Sequence, residues 1–93
     1  MIVSFACKET ERIWHGERSR RLPPDIQQKA LDRMQLLNAA TRLEDLRVPP
    51  GNRLEALKGD RAGQHSLRLN GQWRLCFRWL AGNAHDVEIV DYH

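Results

Sequence analysis

Residues 53–93 read RLEALKGDRAGQHSLRLNGQWRLCFRWLAGNAHDVEIVDYH, and the run 64–80 within them, QHSLRLNGQWRLCFRWL, decides the fold. Asn70-Gly71 separates two segments of alternating apolar residues, a strong short-range signal for a β-hairpin. From Trp73 to Trp79 the apolar Trp73, Leu75, Phe77 and Trp79 fall on one face, with Arg74, Cys76 and Arg78 on the other. In the preceding segment His65, Leu67 and Leu69 oppose Gln64, Ser66 and Arg68. Directly opposed residues share a face, so a two-residue loop at Asn70-Gly71 would pair Leu67 with Arg74 and mix the faces. An odd loop avoids this. The reading predicts Leu69-Asn70-Gly71, with Gly71 left-handed, Leu67 opposite Trp73 and Ser66 opposite Arg74. Either way the hairpin has an apolar face and a polar face carrying Arg68, Arg74 and Arg78.

The rest of the chain supplies what covers the apolar face. Ile2 to Cys7 is uncharged and rich in Ile, Val and Phe, which predicts a strand covered on both faces, and Lys8 to His15 continues as a short helix. Arg18, Arg20 and Arg21 form a basic loop, either a phosphate-contacting arm or simply exposed. Pro24 and Asp25 then open a helix to about Ala40, whose apolar Ile26, Ala30, Met34 and Leu37 recur every three to four residues. A helical turn at Leu43 to Leu46, a Pro49-Pro50-Gly51-Asn52 loop, a strand around Arg53 to Lys58 and a Gly59-Asp60 turn lead to the hairpin. A Gly82-Asn83 turn precedes a last strand, Asp86 to Asp91. Helices early and strands late predict one α+β domain over residues 1–93, with helices on one face of a mainly antiparallel sheet.

Composition narrows the class. A chain of 93 residues with 41% hydrophobic and 29% charged residues reads as an ordinary soluble domain. At that size only about 60–65% of the unfolded surface can be buried. MIVSFACKETER lacks the basic start and long apolar stretch of a signal peptide, and no apolar run approaches a membrane span, so a cytoplasmic, membrane-free protein is expected. Cys7 and Cys76 have no CxxC or Cys/His ligand spacing and read as reduced apolar residues. No pair of histidines has metal-ligand spacing, so neither metal nor cofactor is expected. The net charge of +3 is unevenly placed: residues 53–78 hold six Lys/Arg against two acids, while the last fifteen hold three acids and no Lys or Arg. Such a patch suits a polyanion such as RNA, or else is a strand face balanced by nearby carboxylates.

Cutting RNA without a metal requires a base for the 2′-hydroxyl, cations for the charged phosphorane and an acid for the departing 5′-oxygen. Asp91 or His93 can serve as base, His93 as acid, and Lys58 and Arg74 as cations, with Tyr92 stacking on a base or orienting the phosphate. His65 shares a face with Leu67 and Leu69 and reads as a packed histidine.

The run LRVPPGNRLEALKGDRAGQHSLRLNGQWRLCFRW at 46–79, followed by VEIVDYH at 87–93, resembles the plasmid-maintenance killer, or HigB, branch of the RelE/ParE toxin superfamily. The resemblance is dense over residues 46–93. It implies a microbial-ribonuclease-like α+β toxin that enters the ribosomal A site and cuts messenger RNA there, neutralised by a helix-turn-helix antitoxin from the same operon. By position, Lys58 and Arg74 match the family's phosphate-contacting cations, and Asp91, Tyr92 and His93 its C-terminal active-site cluster. Glu55 stands where some relatives have a catalytic His. A carboxylate is a poor proton donor near neutral pH, so His93 would take more of the acid role, and Glu55 is either a base or a surface residue paired with Arg53 or Lys58. Arg18, Arg20, Arg21, Arg53, Arg61, Arg68 and Arg78 are the candidate RNA-binding cations. Two other readings share the fold: a ParE-like inhibitor that blocks DNA gyrase without catalysis, and an inactive RNA-binding relative.

Overall fold

The computed structural model describes residues 1–92 and has the predicted α+β architecture. Helix α1 spans Lys8–Trp14 and α2 spans Pro24–Ala39. After short 3₁₀ turns at Leu43–Arg47 and Pro50–Asn52 come strands β1 (Glu55–Ala56), β2 (Gln64–Arg68), β3 (Trp73–Leu80) and β4 (Asn83–Asp91). Among the described residues these form one antiparallel sheet in the order β1-β2-β3-β4.

The apolar face is buried as its alternation requires. Leu67, Leu75, Phe77 and Val87 lose all contact with solvent, as do Ala30, Met34 and Leu37 of α2, and Ile26 is nearly so; all belong to one core. Each large side chain withdrawn from water stabilises by roughly 1.5–3 kcal/mol. A lone helix of about the length of α2 is marginal in water, so this packed stripe rather than intrinsic propensity fixes it. Pro24 occupies the first turn, where no N–H is needed, and the helix stops because Ala40 turns extended at ψ 135°.

The loop is odd, but its register differs from the expected one by two residues. Leu67 pairs with Leu75, Ser66 with Cys76 and Arg68 with Arg74, leaving Asn70-Gly71-Gln72 as the connection. Gly71 does not take a positive φ. The turn is held by the side chain of Asn70, whose Oδ1 accepts from the backbone N–H groups of Gln72 and Trp73, both at 2.8 Å. An amide oxygen that satisfies two backbone donors makes a left-handed glycine unnecessary.

Three boundaries move for identifiable reasons. The segment before α1 is not a continuous strand: it makes parallel bridges to β4 at Ile2–Ala84 and Phe5–Val87. Between them Asp86 bulges at φ 54°, and its N–H is taken by Ser4 Oγ at 2.8 Å instead of a carbonyl, which breaks the ladder. The expected strand at Arg53 to Lys58 shrinks to Glu55–Ala56, because Arg53 is left-handed at φ 45° and Gly59 turns at φ 65°. The last hairpin turns at Ala81-Gly82, both at positive φ, so β4 begins at Asn83 and not at Asp86.

Candidate active site

Helices cover one face of the sheet, and the other presents the polar residues of β1, β2 and β3. The register places Glu55 opposite Ser66 and Ser66 opposite Cys76, with Arg74 two residues along β3. From there the Arg74 side chain reaches diagonally across β2. Its Nη1 donates to Ser66 Oγ at 2.9 Å, and its Nη2 donates to Glu55 Oε1 at 3.1 Å. The guanidinium carbon lies 5.7 Å from the centre of the Tyr92 ring, within cation–π range. Only 14% of the Arg74 side chain is exposed, against 48% of Glu55. One planar cation is therefore fixed on three sides on the face opposite the helices. Glu55 is a strand residue with a charged partner, but that partner is Arg74 rather than Arg53 or Lys58.

The other assigned residues are placed differently. Asp91 opposes Trp73 and so belongs to the Trp73 and Leu75 face, across the strand from Arg74; Gln72 Nε2 donates to its Oδ2 at 3.2 Å. Gln72 also accepts the Tyr92 N–H on its backbone oxygen at 2.7 Å, so the β2–β3 loop holds both residues. His93 lies outside the described residues. Lys58 is exposed and leads into a 3₁₀ turn at Gly59–Arg61 beyond β1.

The basic face is largely neutralised. Arg61 Nη1 contacts Glu88 Oε1 at 3.3 Å and Gln64 Oε1 at 3.1 Å, and Arg78 Nε lies 3.5 Å from Asp86 Oδ2. With Arg74 on Glu55, three of the strand-face arginines thus carry a carboxylate, while Arg53 is exposed and Arg68 half-buried. Arg18, Arg20 and Arg21 belong to the helical layer, on the other side of the sheet from Arg74, where with Arg12 and Glu9 they line an open groove. Buried Ser19 braces that loop: its Oγ donates to Glu9 Oε1 at 2.7 Å and accepts from the N–H groups of Arg21 and Leu22.

Two further groups are structural. His65 stacks on Phe77 with ring centres 6.1 Å apart, and burial pushes its pKa below the usual histidine value, so it packs as the alternation predicts. Burial likewise pushes the Cys76 thiol up, which disfavours the nucleophilic thiolate. Among the described residues no group of three His, Cys, Asp or Glu is arranged to hold a metal ion, and no helix is long and apolar enough to cross a membrane. Ser66 and Gln72 are the residues a sequence reading passes over. The polar-face parity of Ser66 was visible and the expected register even set it opposite Arg74; the true register sets it opposite Cys76, and Arg74 reaches it on the diagonal.

Comparison with known proteins agrees with this architecture. Residues 3–93 match the model of the HigB-like toxin family, described as the RelE-like toxin of the type II toxin-antitoxin system HigB. Toxin HigB-1 of Vibrio cholerae serotype O1 is 41% identical over 85 residues, covering 90% of each chain. Endoribonuclease HigB of Proteus vulgaris is 30% identical over 93 residues, the full length of both. The chain belongs to the HigB-like family of RelE-like type II toxins, a membership that implies an antitoxin partner.

Proposed function

We propose that this HigB-like toxin is a ribosome-dependent endoribonuclease, one that cuts messenger RNA in the A site, stops translation and so arrests growth. The observation that carries the reading is the Arg74 guanidinium, docked against Ser66, Glu55 and the Tyr92 ring on the face that the helices leave open. A relative matching at full length bears the name of an endoribonuclease, which supports the same chemistry.

In that reaction the 2′-oxygen attacks the adjacent phosphorus while the bond to the 5′-oxygen breaks. The products are a 2′,3′-cyclic phosphate and a 5′-hydroxyl. Negative charge builds on the non-bridging oxygens, where a preoriented guanidinium is worth most because it need not reorganise. Arg74 fills this role, Lys58 adds a second cation, and Tyr92 stacks on a base or orients the phosphate. Asp91 or His93 takes the 2′-hydroxyl proton, and His93 returns one to the 5′-oxygen. Asp91 lies across the strand from Arg74, so a messenger in the site wraps the end of β4 to meet both. Glu55 has its carboxylate on Arg74 and supports that cation instead of acting as the main base. Arg18, Arg20, Arg21, Arg53, Arg61, Arg68 and Arg78 meet ribosomal and messenger phosphates, those paired with carboxylates by exchanging partners. Residues 1–93 act as one cytoplasmic domain without a metal or cofactor, and a helix-turn-helix antitoxin of the HigA kind is the neutralising partner.

The test is primer extension on a translated message after induction. New 5′ ends should appear inside the reading frame, vanish when translation is blocked, and be absent with Arg74→Ala. Growth arrest with intact messages and inhibited supercoiling would overturn the reading in favour of a gyrase inhibitor.

A further inference from the structure

Ser66 is the one fully buried residue of β2 on the polar face, and its hydroxyl lies 2.9 Å from Nη1 of the Arg74 guanidinium. A buried hydroxyl costs stability unless it is hydrogen-bonded, and here it accepts a charge-assisted bond from Arg74 Nη1. The paired neighbours of Ser66 are Glu55 on β1 and Cys76 on β3.

From this contact we infer that Ser66 is a positioning residue for cleavage: its buried hydroxyl fixes the plane of the Arg74 guanidinium so that Nη2 can pass from Glu55 to the scissile phosphate. The inference rests on the proposed role of Arg74. Ser66 and Glu55 divide the work. Glu55 is half exposed and charged, so an incoming phosphate competes with it for Nη2; Ser66 is buried and neutral, so it stays on Nη1 while that exchange occurs. Arg74 then passes from carboxylate to phosphate by trading one partner without losing its orientation. Ser66 touches no substrate, and its effect is read through Arg74.

The experiment compares wild type, Ser66→Ala, Ser66→Thr and Arg74→Lys in single-turnover cleavage of messenger on programmed ribosomes. Alongside it, NMR of the arginine side chains follows rotation of the Arg74 Nη groups, assigned by their loss in Arg74→Lys. Ser66→Ala should melt within a few degrees of wild type and keep its KM, yet turn over about 10- to 100-fold more slowly, as expected for a catalytic group loosened in orientation. Its Arg74 Nη groups should rotate freely where those of wild type are hindered. Ser66→Thr, which keeps the hydroxyl, should stay within about threefold of wild type in rate on the same reasoning. A wild-type rate for Ser66→Ala beside an impaired Arg74→Lys would overturn this inference and leave the role of Arg74 standing. Equal losses in Ser66→Ala and Ser66→Thr, hindered Arg74 rotation in a slow Ser66→Ala, or an unfolded Ser66→Ala would make Ser66 merely structural. A wild-type rate for Arg74→Lys would instead remove the role of the oriented Arg74 guanidinium on which the inference depends.

Discussion

Arg74 gathers two acceptors and an aromatic ring around one guanidinium, and the sequence disclosed only part of that arrangement. Alternation placed Arg74 on the polar face. It could not find the partner of Glu55, because that partner is nineteen residues away and is reached only across β2. The pairing bears on mechanism. Glu55→Gln keeps an oxygen for Arg74 and removes the charge, so cleavage should stay within about tenfold of wild type; a fall of a hundredfold or more, the loss typical of a missing general base, would make Glu55 that base. His65 offers a separate test through pH. Its ring binds fewer protons folded than unfolded, because burial lowers its pKa from 6.5. Its contribution is therefore complete above about pH 6.5 and is lost as pH falls toward the lower folded value. The urea midpoint should drop between pH 7.5 and 5.5 in wild type and drop less in His65→Phe. Parallel slopes would show that another group dominates.

At the scale of elements, the two α-helices and the four strands of the sheet were legible, with shifted ends, while Ile2 to Cys7 was read as a strand and makes only isolated bridges; the turns were legible in parity and not in detail. Asn70-Gly71 suggested a left-handed glycine, yet the turn rests on the Asn70 amide. The two accounts differ in outcome. Gly71→Ala should be close to neutral: its φ is ordinary, and a Cβ there would meet only the flexible end of Arg68 at 3.9 Å. Asn70→Ala should cost roughly 1–2 kcal/mol by unpairing two backbone donors. Thermal melts of the two variants would decide it, and a larger loss at Gly71 would restore the glycine turn. Ala81 escaped the reading because alanine is a poor signal for the left-handed conformation it adopts at φ 51°. The contact of α2 with the hairpin was readable from its stripe. Leu75→Ala or Phe77→Ala should cost about 2–5 kcal/mol in chemical denaturation, since both side chains are fully buried. A loss below about 1 kcal/mol would mean that the core collapses around the gap.

For the whole molecule, a 93-residue chain spends its helices on one face of the sheet and leaves the other to Arg74, Glu55, Ser66 and Tyr92. The local basic patch left two readings open, a polyanion partner or a strand face balanced by carboxylates, and the structure shows Arg74, Arg61 and Arg78 held by Glu55, Glu88 and Asp86. Which acid meets which arginine was not legible, because each acid lies on a different element from the arginine it pairs with. A face so balanced attracts free RNA weakly, since phosphate must displace a carboxylate at each arginine. That weakness is made good if the ribosome supplies the alignment, which alone is worth several orders of magnitude in rate. The most direct measurement is cleavage of one labelled messenger by purified toxin, with and without programmed ribosomes, for wild type and Arg74→Ala. The account predicts efficient cutting only with ribosomes, and a loss of at least about 100-fold for folded Arg74→Ala. Equal cutting of naked messenger, or full activity of Arg74→Ala on the ribosome, would contradict it.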